Sequence, residues 1–511
     1  LAVALGARIG RIAAMRASRL LVVGLALVAV VAAWWAGSPR GAGPGPGPVV
    51  RAKVPGLVIV CLDTLRADAT EGPAGGAALP SLGAFARDAT RFPGALAACS
   101  WTGPSVATLL TGLQPWNHGI FEVTSSTRLP ASVPTLATVL REAGWTTAAV
   151  TGGGWLSEGC GLPPGFDQYD ADFDQLAPAA AVARWQARRP LHRPFLLFLH
   201  SYAPHDPYGD KRAGADGRCD PAATAAGAVT ATRFAVARDD ADPASIAAYL
   251  ETYYGLPCER HGFERALGGA RLGAIQQAAR GAIDGAWRAL PDGEGVVARL
   301  RARYHGPGLA YVEARLRATL EALASLPRET VIVVCSDHGE AFGEHGPLYH
   351  GRFLHPELVR ALLVVRAPGW PAGDVAGTVG LVDVVPTLLE VCGVPAGGRV
   401  FDGASFADLV RGAPRDDRPV VSAVVPPVDA FGGSETYARR AAVRDARFAW
   451  SGRYDVRQRA WVEEAWFDRG ADPQEFRPLA APPAAGAAFD AAVTDVRRVF
   501  ASRFGAARKD R

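Results

Sequence analysis

The chain has no basic stripe with interleaved aromatics, and so no electrostatic footprint of a nucleic-acid binder. It has no repeat period either, which excludes a solenoid or a propeller array. Cysteine is scarce and odd in number, seven in 511 residues, too few for a disulfide scaffold. Methionine is scarcer still. Met15 is the only one, and it marks a candidate translation start with Met15-Arg16-Ala17-Ser18-Arg19 as a short basic leader. Acidic residues are missing from positions 1–53, which carry Arg8, Arg11, Arg16, Arg19, Arg40, Arg51 and Lys53. The formal charge of +4 is therefore misleading. Removing those seven from the 54 Lys and Arg leaves 47 against 50 Asp and Glu, so the remainder of the chain is slightly acidic.

Several features are present in strength. A hydrophobic content of 49% is ample for a core, and 511 residues suit one large α/β domain with a smaller companion. Gly 58 and Pro 39 imply many tight turns. Residues 20–35 form an uncharged apolar run that ends in Trp34-Trp35; with Ala36 and Gly37 it is about long enough to span a bilayer. Arginines before it and tryptophans at its end fit a transmembrane helix whose body lies outside the cytoplasm. The expectation is a basic leader and anchor over 1–37 and a Gly/Pro-rich linker over 38–53. A single pass in the cell membrane would then leave the body on the periplasmic or extracellular side. A cleaved signal peptide is the alternative, disfavoured because Trp34-Trp35 make a poor small-residue cleavage site.

The body begins with Leu57-Val58-Ile59-Val60-Cys61-Leu62, which reads as a strand buried on both faces and ends in Asp63. Val331-Ile332-Val333-Val334-Cys335 is a second such strand and ends in Ser336-Asp337-His338. Ligands in open α/β sheets sit beyond the carboxyl ends of strands. An aspartate beside a histidine there offers a hard oxygen and an imidazole to a metal; two solvated polar residues at a capped strand end is the other reading. A third strand, 194–199, ends in His200 with His205 beyond it, and two histidines at a strand end are site candidates. Thr102-Gly103-Pro104-Ser105 opens a helix closed by Gly112. The Thr102 hydroxyl either caps that helix or acts as a nucleophile where backbone N–H groups favour an anion.

The spacing also predicts helices over 136–143 and 311–326, strands over 146–150 and 362–365, and a strand-to-helix corner over 381–389. A mostly helical insert over 209–303 would serve as a lid or shield. His345, His350 and His355 follow in a loop where His345-Gly346 and His350-Gly351 can fold back toward Asp337. Cys61 and Cys335 read as core thiols; Cys219 and Cys258 bracket a polar-rich segment and would pair in an oxidising compartment. After about 412 the pattern changes to short antiparallel strands and a C-terminal helix over 487–504.

Together these residues resemble the sulfatase-like branch of the alkaline phosphatase superfamily across roughly 54–480. The ordered motifs are Asp63-Thr64-Leu65-Arg66-Ala67-Asp68, Thr102-Gly103-Pro104-Ser105, His118-Gly119, Pro204-His205, Ser336-Asp337-His338-Gly339-Glu340, Gly343-Glu344-His345-Gly346, Leu381-Val382-Asp383 and Asp472-Pro473. The resemblance implies an alkaline-phosphatase-like α/β/α sandwich over 54–411 with a small antiparallel subdomain over 412–511. It implies one divalent metal on Asp63, Thr102, Asp337 and His338. Two carboxylates, an alkoxide and an imidazole favour Zn²⁺ or Mn²⁺ over Ca²⁺ or Mg²⁺. Sulfatases in the strict sense carry Cys or Ser at the nucleophile position, followed by Pro and Arg, and a separate enzyme oxidises that Cys or Ser to formylglycine. Here the position is Thr102, and Val106 stands where the arginine would be. Threonine cannot give an aldehyde. The pattern is closer to phosphoethanolamine and phosphoglycerol transferases, which use an unmodified threonine. The expected substrate is a small-molecule, lipid-borne or glycan-borne phosphate or sulfate ester, with His205, His345 and His350 as groups to bind the oxyanion or protonate the leaving oxygen. Sulfate-ester hydrolysis without formylglycine and a catalytically inactive membrane-tethered binding protein are the alternatives.

Overall fold

A computed structural model describes residues 54–121, 127–171, 178–209, 287–289, 292–413, 418–426 and 438–505. The chain divides into units 1–48 and 49–511, and all of the described residues belong to the second. The apolar run 20–35, the linker, Cys219, Cys258 and most of the insert lie outside the described residues. Among the described residues no helix is long and apolar enough to cross a membrane.

The main sheet has eight strands: β1 (Gly56–Leu62), β2 (Thr90–Arg91), β3 (Thr146–Val150), β4 (Gln168–Asp170), β5 (Phe195–Ser201), β6 (Val331–Ser336), β7 (Leu363–Arg366) and β8 (Gly373–Asp374). Their spatial order is β8-β2-β7-β6-β1-β5-β3-β4. β1 pairs in parallel with both β5 and β6, while β7 runs antiparallel to β6 and β2. The continuous β-branched runs explain why β1 and β6 are central: both are buried at every residue.

Side chains alternate across the sheet, and two cores form. Leu57, Ile59 and Cys61 face one core, and Val58, Val60 and Leu62 face the other. Helices α2 (Thr102–Thr111), α3 (Leu136–Glu142) and α7 (Val384–Cys392) cover the first. Helices α1 (Pro80–Ala86), α4 (Pro178–Arg188), α5 (Gly293–Arg303) and α6 (Leu309–Leu323) cover the second. This is the expected α/β/α layering.

The expected corner over 381–389 differs in detail. Its strand is only Val379–Gly380, and residues Leu381–Asp383 make a 3₁₀ turn into α7. The cause is Asp383, whose carboxylate accepts the N–H of Gly380 and of Ala404 and so closes the turn. The segment after 412 forms an antiparallel sheet of β9 (Val420–Val424), β10 (Ala438–Arg444), β11 (Phe448–Asp455) and β12 (Ala460–Asp468), with helix α8 (Ala487–Phe504) on one face. β9 is tied to the larger body through the Ala423 N–H on the Ala98 carbonyl and the Ser422 hydroxyl on the Ala97 carbonyl. Among the described residues Cys61, Cys99, Cys160, Cys335 and Cys392 are free thiols.

Candidate active site

The site follows from strand register. Leu62 of β1 lies beside Ser336 of β6 and beside Ser201 of β5. The next residues, Asp63 and Asp337, therefore emerge side by side, with His200 on the adjoining strand. Asp63, Asp337 and His338 are all fully buried, and each offers one ligand atom within 4.8 Å of the others.

Each of these side chains is oriented by its neighbours. Asp337 Oδ1 accepts the N–H of Thr64 at 3.2 Å and of His338 at 2.9 Å, which leaves Oδ2 without a partner. His338 Nδ1 donates to the Gly339 carbonyl at 2.9 Å, so the bare nitrogen is Nε2, also without a partner. Asp63 Oδ1 has none either. Burial first, and then the His350 ring, push His338 down to about 3 and keep its imidazole neutral. Burial opposes charge on Asp63, but contact with His200 and the field of three imidazoles hold its carboxyl below the ordinary range. Asp337 is raised well above that range, by burial and then by Asp63. Two buried carboxylates and a neutral imidazole with bare, convergent atoms form a group that could hold a metal ion.

Thr102 joins this cluster. It is the first residue of α2, 2% exposed, and it makes no side-chain cap to its helix. Its hydroxyl donates instead to Asp63 Oδ2 at 3.0 Å. The helix is held over the strand ends by Ser105, whose hydroxyl donates to the Asp337 carbonyl at 2.6 Å. The backbone carries strain here as well. Thr64 has a φ of 57°, an uncommon conformation for a β-branched residue, costing of the order of 1–3 kcal/mol. That conformation points its N–H at Asp337.

The remaining histidines separate. The His350 ring centroid lies 4.8 Å from that of His338, 5.1 Å from His205 and 5.5 Å from Trp101. Gly351, at φ 90°, lets this segment lie against the Trp101 ring, where a Cβ would come within 1.9 Å of Cε3. His205 stands beside Asp206, with Nδ1 2.9 Å from Oδ1. His345 is placed differently from the expectation. Its Nδ1 meets Glu357 at 3.0 Å and its Nε2 donates to the Gln474 carbonyl at 2.9 Å, so the ring bridges Glu357 and the segment after Asp472. Gly343 and Gly346, both at positive φ, turn the loop that way.

Three contributors carried no assigned role in the sequence. His200 Nε2 lies 3.4 Å from Asp63 Oδ2. Glu340, fully buried, accepts from His350 Nδ1 at 2.9 Å and from the Tyr208 hydroxyl at 3.0 Å. Arg66 forks onto Asp68 and also holds the Glu340 carbonyl and Glu344. Its N–H donates to the Tyr304 hydroxyl, which in turn donates to the Thr64 carbonyl. A histidine at the end of β5 was a legible signal for His200; the roles of Glu340 and Arg66 had none.

Set against known proteins, the chain matches the family model described as Sulfatase over residues 55–394. Choline-sulfatase from Rhizobium meliloti (strain 1021) is 23% identical over 484 residues, covering 84% of this chain and 83% of that one. Arylsulfatase K from Homo sapiens is 32% identical over 102 residues, 19% of each chain. Among solved structures, a protein in complex with its substrate D-glucosamine-2-N,6-O-disulfate has a TM-score of 0.61 at 19% identity, covering 88% of this chain and 99% of that chain. The phosphonate monoester hydrolase from Silicibacter pomeroyi has a TM-score of 0.57 at 20% identity, covering 87% and 94%. These structural likenesses establish the fold.

Proposed function

The chain belongs to the sulfatase family, a hydrolase of sulfate or phosphate esters, and on that footing we propose that it is membrane-anchored and uses unmodified Thr102 as nucleophile with one divalent metal. The observation that carries this reading is the 3.0 Å contact of the Thr102 hydroxyl with Asp63, inside a cluster whose three other ligand atoms have no partner. Asp63, Asp337 and His338, with the Thr102 oxygen, would hold the cation. When bound, it supplies the positive charge that lowers the cost of a deprotonated hydroxyl and of charge on the ester oxygens.

The chain's own groups account for the rest. Thr102 aims its proton at Asp63 Oδ2, which leaves a lone pair for attack on phosphorus or sulfur. The first turn of α2 presents backbone N–H groups toward the same anion. His350, held through Nδ1 by Glu340, is placed to give a proton through its other nitrogen to the departing alkoxide; His205 flanks it. The bond from the Thr102 oxygen to phosphorus or sulfur forms as the Thr102 proton passes to Asp63 Oδ2 and the bond to the ester oxygen breaks, that oxygen leaving with the proton from His350. Water or a second alcohol then takes the group from Thr102. The apolar run 20–35 supports anchoring, with the body on the extracytoplasmic side.

Paired assays on aryl phosphate and aryl sulfate esters, with Thr102→Ala as control and metal content measured on the same preparation, test this. The expected result is turnover of at least one ester, one metal per chain and loss of turnover in the variant. A metal-free protein that turns over neither ester would overturn the proposal in favour of a binding protein. Faster cleavage of the sulfate would assign the group transferred.

A further inference from the structure

The small sheet has two faces. Phe489, Val493, Val496 and Phe500 of α8 cover one, against Trp450 and Tyr454. The other, with residues 353–355 and Glu475, encloses a cavity of about 520 Å³, within the range of small-molecule sites. None of Asp63, Thr102, Asp337, His338 or His350 lines it.

Three guanidiniums converge on this cavity. Arg440 of β10 lies directly opposite Arg453 of β11, and Arg453 lies directly opposite Glu463 of β12. Like charges in opposed positions weaken a sheet, so this pairing is kept against a cost. Glu463 binds Arg453 at 2.6 Å, and the Arg440 guanidinium lies 4.2 Å from the Phe353 ring centre. Arg444 is 2% exposed and forks onto Glu475 through Nε and Nη2, but its buried Nη1 has no hydrogen-bond partner. His355, also on the wall, is pushed down to about 3 by burial first and then by His345, Arg444 and Arg440.

The cavity is not purely an anion hole. Ser451 and Glu463 offer hydroxyl and carboxylate oxygens, while Phe353 and Phe467 offer apolar rings. A polyphosphate would meet that carboxylate with repulsion. A ring that carries one acidic group and several hydroxyls uses both sets, with its C–H face on the aromatics. We propose that this cavity is a second, non-catalytic site for an acidic sugar ring, one bearing a carboxylate or a sulfate. The acid would face Arg440, Arg444 and Arg453, and the hydroxyls would face Ser451 and Glu463. The proposal goes beyond the ester-cleavage reading, and its test does not depend on turnover.

Calorimetric titration of the full chain with glucuronate, glucose 6-sulfate and glucose provides that test. Both acids are expected to bind and glucose is not. Arg440→Gln combined with Arg453→Gln is expected to weaken glucuronate binding by about tenfold or more, from the loss of charge-assisted hydrogen bonds. Aryl-ester turnover should be unchanged. If the double variant does not fold, Ser451→Leu decides, because it fills the cavity and leaves every ion pair in place. Absence of binding to the wild type, equal binding by the folded variants, or competitive inhibition of aryl-ester turnover by glucuronate would each overturn the proposal.

Discussion

Replacing Thr102 with serine and with alanine separates the roles of its oxygen and its methyl group. The side chain is 2% exposed, with its hydroxyl 3.0 Å from Asp63 Oδ2. Serine keeps the hydroxyl and removes one buried methyl, worth about 0.8 kcal/mol. If all of that is lost from the transition state, the rate falls about fourfold. Alanine removes the atom that forms the new bond, and turnover should fall by about a thousandfold or more, the residue coming from binding and local charge alone. The stability cost of alanine combines that methyl with one hydrogen bond to a carboxylate, about 2–4 kcal/mol together. Initial rates on aryl phosphate and aryl sulfate, with urea midpoints on the same preparations, check both numbers. Rapid quenching followed by peptide mass analysis should find the transferred group on residue 102 in the wild type. Alanine retaining a tenth of wild-type activity, or serine as inactive as alanine, would refute the assignment of Thr102 as nucleophile.

Three further outcomes are expected. Removing metal with a chelator should abolish turnover and lower stability; a free ion at a hundred times its Kd contributes about 2.7 kcal/mol, measurable as a shifted denaturation midpoint on adding Zn²⁺ or Mn²⁺ back. His345 has its pKa raised: burial lowers it, but Glu357 and the Gln474 carbonyl outweigh burial. Its stabilisation is thus complete below the unfolded value near ~6.5 and is lost as pH rises through the higher folded value. The urea midpoint of His345→Gln should therefore fall furthest below wild type in acid, with the gap closing on the alkaline side; a gap independent of pH would contradict the link. Gly351→Ala places a Cβ 1.9 Å from the Trp101 ring at a φ of 90°, so it should cost more than about 1 kcal/mol and displace His350. Unchanged stability and turnover in that variant would show that the segment does not position the histidine.

The strands that build the site were legible because parallel central strands are buried on both faces and read as continuous β-branched runs. Asp63 and Asp337 were singled out by one rule about strand ends, and the backbone register brings the two together: β1 and β6 are immediate neighbours. The histidines were harder to place. His345 and His350 look equivalent in sequence, yet Gly343 and Gly346 turn one toward Glu357, while Glu340 draws the other to the cluster. The reach of Arg66 beyond its neighbour Asp68 could not be read locally, because Glu344 is 278 residues away. The corner at Asp383 departs from its composition: its valines suit a strand, but the carboxylate closes a turn on the N–H groups of Gly380 and the distant Ala404.

The route of the chain also bears on its synthesis. Thr64 gives its N–H to Asp337 across 273 residues, and the two strands behind them are adjacent. A polypeptide emerging from the ribosome carries Asp63 early but cannot complete the pocket until residue 338 has been released. On the proposed reading, ion capture would be a late event, one that reports closure of a long-range contact at the centre of the sheet. Until then, the half-built β1 must keep an unpaired edge out of reach of other chains.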